Sequence, residues 1–184
     1  AVSPHQACGN AAPMKVEAQF HIVFLDRIDQ ALGQVSVGGY LRQWWQDGRL
    51  AYNDTADGGC FDQVVMADDP DLTIWTPNLY IDNLVDVSHK GAQLVHIDPD
   101  GRIWWSAFLQ ITTKASMHFS KLPFDSHRVS VDLASYSLDN TIVRLVAKGG
   151  TPGVATSGIG ISSAPISSSM WDIQGGASSA PGGM

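Results

Sequence analysis

The chain has 184 residues, a formal net charge of -7 at pH 7, 44% hydrophobic residues and 16% charged residues. Such a composition indicates a folded globular chain rather than a disordered one, and the length suits one domain with its own core. The acidic balance and the scattered Lys and Arg residues argue against nucleic acid and anionic membranes as partners. No apolar run approaches the roughly 18–20 residues that a membrane-spanning helix needs.

The predicted elements, taken along the chain, are nearly all strands. Residues 1–14 have no periodicity and are predicted to form an N-terminal arm, followed by two long alternating strands. A Gly-Gly pair in the second strand predicts a bulge there. The core residues predicted from these two strands are Val16, Ala18, Phe20, Ile22, Phe24, Val35, Val37, Tyr40 and Trp44.

Further strands are predicted in LTIWTPNLYI, AQLVHI, GRIWWSAFLQITT, RVSVDLASYS, NTIVRLVAK and SMWDIQ. The Asp-Pro-Asp-Gly sequence at residues 98–101 predicts a hairpin corner. Residues 149–169 and 174–184 are rich in Gly, Ser, Ala and Pro and are predicted to be loops or linkers. Short strands joined by such turns indicate an all-β sandwich or barrel, assigned to residues 15–174 with a tail at 175–184.

Enzyme and metal motifs are missing from the sequence. It contains no G-x-S-x-G, H-E-x-x-H, C-x-x-C or phosphate-binding glycine loop, so we expect no enzyme, no cofactor and no metal site. The acidic run at residues 68–71 is read as a solvated turn rather than a calcium loop. Cys8 and Cys60 are expected to form a disulfide, which implies an oxidising compartment, and Asn53 begins a glycosylation sequon.

Two tandem tryptophan pairs, Trp44-Trp45 and Trp104-Trp105, fall on predicted strands. Because neighbouring strand residues point to opposite faces, one member of each pair is expected inside and the other outside. An outward Trp either contacts a ligand or a partner, or packs under a loop.

Four motifs occur in order: LRQWWQDGRLAYN, IWTPNLYIDN, DPDGRIWWS and FSKLPFDSHRVSVDLASYS. Together they resemble the extracellular ligand-binding domain of pentameric ligand-gated ion channels, the family of the Cys-loop receptors and the acetylcholine-binding proteins. The resemblance implies a twisted immunoglobulin-like β-sandwich of nine to ten strands in a homo- or hetero-pentamer. It also implies a ligand site in an aromatic box between adjacent subunits, at the surface of a cell or in a secreted protein.

The resemblance carries over to individual residues. The matching ligand-binding positions are Trp45, Asp82, Tyr136, Trp104 and Ser106, with Tyr80 close to the register of Asp82. Trp75, Pro77, Asp47 and Arg49 match positions that are structural in the family. Because Asp82 stands where acetylcholine receptors have a tyrosine, we expect a cationic amine as the ligand.

The corner Pro123-Phe124-Asp125 matches the family's signature loop, which contacts the membrane domain in channels, together with the turn at residues 26–32. The two cysteines that close this loop in the family are replaced here by Ala115 and Val129, as in members that lack the disulfide. We expect the family's tenth strand and its transmembrane helices to be absent from this chain, which would leave an open sheet edge.

The favoured function is a non-enzymatic extracellular ligand-binding domain with a small-amine site at subunit boundaries. The alternative is an assembly module of an extracellular complex that uses the same sandwich without a small ligand, because an open sheet edge invites strand donation. A third reading, a hydrolase or carbohydrate-binding sandwich, rests only on exposed tryptophans.

Overall fold

The structure is a computed structural model that describes residues 13–53, 64–67, 74–117, 119, 120, 125, 127, 129–136, 141–148 and 159–161. The regular secondary structure of this part of the chain is nearly all strand, which confirms the predicted all-β class. A single turn of 3-10 helix, Gly48–Leu50, follows the second strand. The strands of the described residues are β1 (Met14–Asp29), β2 (Gln34–Gln46), β3 (Val64–Ala67), β4 (Leu79–Ile81), β5 (Leu84–His89), β6 (Leu94–Ile97), β7 (Arg102–Lys114), β8 (Leu133–Ser135), β9 (Val143–Ala147) and β10 (Ile159–Ile161).

Eight of these strands form one sheet in which β1, β2 and β7 are the long central members. β2 pairs antiparallel with both neighbours, and its ladder with β7 runs without interruption from Gln34 to Gln46. The other edge of β1 pairs in parallel with β9 and β10, whereas the other edge of β7 pairs with β6 and β5. β4 and β8 form a separate two-stranded ribbon of three register pairs.

The ribbon packs on the apolar face of the large sheet and completes a sandwich-like arrangement. Ile81 of β4 is buried among side chains of β1, β2 and β7, and Leu133 of β8 packs against the same cluster. A second cluster, at the other end of the sheet, gathers around Trp45, Trp75 and Ile103. The buried members of the first cluster are Phe20, Val35, Val37, Leu41, Ile81, Ala107, Leu109 and Ile111.

The predicted faces of the first two strands are correct only in part. Val16, Ala18, Phe20, Val35 and Val37 are buried as predicted. By contrast, the predicted core assignments of Phe24 and Tyr40 are wrong, since each is 38% exposed, and Trp44 is half-buried on the outer face.

A register shift between Ile22 and Phe24 moves the extra residue of the bulge into β1, not into β2 as predicted. The Gly-Gly pair lies opposite this bulge and has a different reason to be glycine. A Cβ at Gly39 would collide with the carbonyl oxygen of His21, and one at Gly38 would collide with the Phe24 ring. The bulge also reverses the alternation, so Phe24 turns outward while Leu25 packs on the core.

Strand prediction missed β5, whose residues Leu84–His89 are exposed throughout. It also placed β10 (Ile159–Ile161) within a predicted loop, although these residues pair in parallel with β1. The predicted loop at residues 149–169 is therefore interrupted by a strand. Of the predicted strands, SMWDIQ lies outside the described residues, and LTIWTPNLYI is strand only at Leu79–Ile81.

The end of β2 is fixed by an ion pair between the buried Asp47 and the partly exposed Arg49, which the sequence motif W-x-D-x-R-L supplies. The Asp47 side chain is 2% exposed and accepts hydrogen bonds from the Arg49 backbone N–H, Nε at 2.8 Å and Nη2 at 2.7 Å. These hydrogen bonds outweigh burial and hold the pKa of Asp47 below its ordinary value. The hairpin corner at residues 98–101 is confirmed by the hydrogen bond from the Gly101 N–H to the Asp98 carbonyl at 2.8 Å. Glycine is required at position 101 because its φ is 82° and because a Cβ there would collide with the Asp47 carbonyl oxygen.

Candidate ligand-binding site

The outer face of the large sheet presents aromatic and basic side chains in register. Across the β2–β7 ladder, Tyr40 pairs with Phe108, Arg42 with Ser106 and Trp44 with Trp104. Residues two apart on a strand share one face, so these three rows lie one above the other. His96 of β6 pairs with Trp104 of β7. We use the name sheet site for five residues: Tyr40, Arg42, Ser106, Trp104 and His96.

Arg42 is the charged centre of the sheet site. Its guanidinium carbon lies 5.4 Å from the centre of the Tyr40 ring, and that ring meets Phe108 edge-on at 5.0 Å. The Nε of Arg42 is buried and has no hydrogen-bond partner among the described residues. A buried donor without an acceptor costs about 1–3 kcal/mol, so this nitrogen favours an incoming acceptor atom.

Two further buried nitrogens of the sheet site have no partner in the described part of the chain: Nε2 of His96 and Nε1 of Trp104. Their rings lie 5.8 Å apart on adjacent strands. An indole N–H only donates, and an imidazole nitrogen donates or accepts according to its tautomer. The sheet site therefore has donors on two strands, β2 and β7, and is chemically suited to an acceptor such as a carboxylate.

An acidic aromatic cluster lies on the β4–β8 ribbon. The rings of Tyr80 and Tyr136 meet edge-on with centres 5.8 Å apart, and the Tyr80 hydroxyl donates to Asp82 Oδ1 at 3.4 Å. Tyr80 is 40% exposed and Tyr136 77% exposed. We call Tyr80, Asp82 and Tyr136 the ribbon site. Ring faces beside a carboxylate are suited to a cation.

The predicted ligand residues thus divide between two places. Asp82 and Tyr136 both lie on the ribbon, where each contacts Tyr80, whereas Trp104 and Ser106 lie on the sheet face. Trp45 joins neither, because its indole is 3% exposed and packs edge-on against Trp75 at 6.1 Å. Within this chain Trp45 is a core side chain, and the member of its tandem pair that faces outward is Trp44.

Tyr40, Arg42 and His96 were missed as site residues by sequence reasoning. Strict alternation of side chains along β2 would have placed Tyr40 and Arg42 on the outer face of the sheet. Val35 and Val37 are core residues, so even-numbered residues of β2 must face the other way as long as no bulge intervenes. For His96 the sequence offers a weaker signal, since its place beside Trp104 depends on the register of β6 against β7.

Beside the sheet site, the Glu17 carboxylate of β1 pairs with two lysines. Its carboxylate accepts from Lys148 Nζ at 2.6 Å and from Lys15 Nζ at 2.8 Å, and Lys148 Nζ also lies 4.4 Å from the centre of the Trp44 ring. Burial opposes ionisation of Glu17, but the two lysines outweigh it and lower its pKa. Lys148 therefore covers the ring of Trp44, the next outward residue of β2 after Arg42.

The predicted coupling corner is described only at Asp125, since Pro123 and Phe124 lie outside the described residues. The Asp125 side chain is 7% exposed, and its Oδ2 lies 2.5 Å from Nε2 of His127. The His127 ring contacts Phe119 at 5.3 Å. The accompanying turn is shorter than predicted, because β1 continues to Asp29 and only residues 30–33 turn.

The remaining predicted sites are described in part. Asn53 is exposed directly after Tyr52, as a glycosylation acceptor requires, and its modification stays a prediction. Cys8 and Cys60 lie outside the described residues. Across the described residues, no three His, Cys, Asp or Glu side chains gather in a way that would hold a metal ion. The same part of the chain contains no helix long and apolar enough to span a membrane.

Comparison with known proteins adds independent evidence. Residues 2–180 match the family described as the neurotransmitter-gated ion-channel ligand binding domain. The chain is 29% identical to pH-sensitive chloride channel 2 of Drosophila melanogaster over 147 residues. These aligned residues cover 77% of this chain and 27% of that protein. It is 26% identical over 152 residues to the human gamma-aminobutyric acid receptor subunit rho-3, covering 79% of this chain and 31% of that subunit.

The human gamma-aminobutyric acid receptor subunit rho-2 is 27% identical over 153 residues, which cover 80% of this chain and 31% of the subunit. The chain thus spans about a third of the length of these relatives or less. The family match extends over nearly the whole chain. The chain belongs to the neurotransmitter-gated ion-channel ligand-binding domain family.

Proposed function

We propose that this chain is the extracellular ligand-binding domain of a pentameric channel subunit and binds a small amino acid with separated amine and carboxylate groups. The ligand lies between the ribbon site of one subunit and the sheet site of the next. The domain has no catalytic role, and binding is its whole chemistry. Among the relatives, the gamma-aminobutyric acid receptor subunits are named for a ligand of this class.

The observation that supports this proposal most directly is the buried Nε of Arg42, which lies on an aromatic face and has no hydrogen-bond partner in the part of the chain that the structure describes. A guanidinium binds a carboxylate with paired, charge-assisted hydrogen bonds. Ser106, directly across the ladder from Arg42, offers a hydroxyl to the same group. The sheet site therefore supplies the half of the pocket that binds the acid.

The ribbon site supplies the half that binds the amine. The Asp82 carboxylate contacts Tyr80, whose ring meets that of Tyr136, and a cation over an aromatic face gains about 0.5–2 kcal/mol. The large sheet and the ribbon are separate sheets. A ring of subunits, which the family resemblance implies, sets the ribbon of one copy against the sheet face of its neighbour.

Isothermal titration calorimetry with four probes tests the proposal: γ-aminobutyric acid, butylamine, butyrate and a quaternary amine. We expect γ-aminobutyric acid to bind tightest, because only it satisfies both halves. Arg42→Gln and Asp82→Asn should each lower its affinity roughly 10- to 100-fold, the equivalent of one lost charge-assisted hydrogen bond. Arg27→Gln, an exposed arginine of β1 away from Arg42 in the register, is the matched control.

The results separate the parts of the proposal. No heat with any of the four probes contradicts a small-ligand function. Equal binding of butylamine and γ-aminobutyric acid, with no effect of Arg42→Gln, contradicts the role of the sheet site in binding the acid. Unchanged binding in Asp82→Asn contradicts the amine site.

A second function, an assembly module without a small ligand, is favoured by one observation. β5 pairs with β7 alone in the described part of the sheet, and Leu84, Val85 and Val87 on it are 36–42% exposed. An apolar edge strand of this kind can accept a strand from another chain. Sedimentation and electron microscopy distinguish the two functions, because closed five-membered rings favour the receptor and filaments favour the module.

A further inference from the structure

Asn83 follows Asp82 of the ribbon site directly and occupies a junction of three chain segments. Its side-chain nitrogen donates to the carbonyl of Ser130 at 2.8 Å and to the carbonyl of Lys114 at 3.3 Å. Its side-chain oxygen accepts from the backbone N–H of Asp132 at 3.2 Å. One amide thus satisfies three backbone groups that belong to two different segments.

Those segments are the two ends of the loop that contains the Pro-Phe-Asp corner. Lys114 is the last residue of β7, and Ser130 is separated from β8 by only two residues. Both carbonyls share one nitrogen, so the two ends of residues 115–129 are held close together by a single side chain. The backbone of Asn83 adds to this, since its carbonyl accepts from the Lys114 N–H at 3.0 Å.

The same junction continues into the ribbon site. The Asp82 N–H donates to the Asp132 carbonyl at 2.7 Å, while the Asp132 N–H donates to the Asn83 side chain. These two bonds extend the three-pair β4–β8 ladder by one step beyond Ile81. Because Asp82 and Asn83 are neighbours in the chain, these bonds hold Asp82 close to both ends of the loop.

We propose that Asn83 is a positioning residue: a non-covalent clasp that closes residues 115–129 and couples this loop to the ligand carboxylate Asp82. The closing part stands on the contacts alone, whereas the coupling part rests on the proposed function. An asparagine suits the role because its amide donates two hydrogen bonds and accepts one here. An aspartate has the same shape but no donor, and would set a carboxylate against two carbonyl oxygens.

Hydrogen–deuterium exchange on the 184-residue chain tests the closing part without any ligand. In Asn83→Asp and Asn83→Ala, we expect peptides covering residues 115–136 to exchange about five- to tenfold faster, as expected for loss of one to two net hydrogen bonds. Peptides of β1 and β2 should be unchanged. Gln46→Ala is the matched control, because it removes one side-chain amide that donates to a backbone carbonyl, that of Asp100.

A rescue separates a clasp from a general structural role. Ala115→Cys with Val129→Cys, added to Asn83→Ala and oxidised with oxidised glutathione, should form a disulfide seen by mass spectrometry. That bond should return the exchange of residues 115–130 to the wild-type rate. A cross-linked Asn83→Ala variant whose residues 115–130 still exchange at the unlinked rate, or equal exchange in Asn83→Asp and wild type, overturns the clasp.

The coupling part is tested with saturating γ-aminobutyric acid as the probe. In the wild type we expect the ligand to slow exchange in residues 115–130 at least twofold, and in Asn83→Asp we expect this response to be lost although heat of binding remains. A wild type that binds the probe without any change in residues 115–130 overturns the coupling. A wild type that gives no heat of binding refutes the proposed function instead and, with it, the coupling, while the exchange and rescue experiments still decide whether Asn83 closes the loop.

Discussion

The sheet site and the ribbon site differ in how much backbone pairing supports them. The sheet site lies on β2 and β7, which are joined by an uninterrupted ladder from Gln34 to Gln46. The ribbon site lies on β4 and β8, which share three register pairs. The geometry of the first is therefore fixed by the sheet, whereas that of the second depends on a few side-chain contacts, above all those of Asn83.

The two sites also differ in the sign of their charge and in exposure. Arg42 is half-buried and its Nε has no hydrogen-bond partner among the described residues, whereas Asp82 is exposed and Tyr136 is 77% exposed. A stable framework with a buried donor and a lightly supported ribbon with exposed aromatics suggest different roles. We expect changes under the sheet site to affect folding, and changes on the ribbon to affect binding with little effect on folding.

The largest expected effect comes from the core beneath the sheet site. Trp45→Ala should lower the free energy of unfolding by about 3–5 kcal/mol, because it removes a buried aromatic side chain and leaves a cavity beside Trp75. Trp44→Ala, the adjacent outward residue, should cost about 1 kcal/mol or less. Urea unfolding followed by circular dichroism measures both. Equal losses in the two variants would contradict the assignment of Trp45 to the core.

The next effect concerns the ion pair at the end of β2. The folded-state pKa of Asp47 is below its ordinary value. The contribution of the Asp47 carboxylate to the free energy of unfolding is therefore complete above about pH 4 and is lost as the pH falls through the folded-state pKa. Asp47→Asn should cost about 1.5–3 kcal/mol at pH 7 and less at pH 3. Urea unfolding at pH 7, 5, 4 and 3 tests this, with the exposed Asp86→Asn as control. A pH-independent difference would refute the linkage.

A smaller effect is expected where Lys148 contacts Trp44 and Glu17 beside the sheet site. Lys148→Met should lower the free energy of unfolding by about 0.5–1 kcal/mol, since a partly exposed cation–π contact and ion pair are lost. Part of this difference should disappear in 1 M NaCl because salt screens the ion pair. Lys90→Met, at an exposed lysine, is the control, and an equal loss there would contradict the contact.

The smallest effect on folding is expected on the ribbon. Tyr136→Ala should change the free energy of unfolding by no more than about 0.5 kcal/mol, because the ring is mostly exposed. The affinity of the Tyr136→Ala variant for γ-aminobutyric acid should nevertheless fall roughly 3- to 30-fold, because the cation–π contact is lost. Leu32→Ala, in the exposed turn after β1, is the control for both measurements. A loss of stability as large as that of Trp45→Ala would remove the distinction between the two regions.

Sequence reasoning predicted the class of the fold and the long strands well, because alternation and turn chemistry are local. It found β7 and the turn at residues 98–101 for this reason. It did not find β5, whose side chains are exposed on both faces and whose strand state comes from pairing with β7. Nor could it place the bulge in β1, since the bulge depends on the register against β2.

The sequence by itself determined the family and the all-β class, because ordered motifs such as W-x-D-x-R-L and W-x-P are properties of the chain. Only the tertiary structure decided which side chains meet. The inward position of Trp45, the pairing of Arg42 with Ser106 and the bonds of Asn83 to Lys114 and Ser130 all join residues distant in sequence. Strand register and packing set those contacts, and no local pattern encodes them.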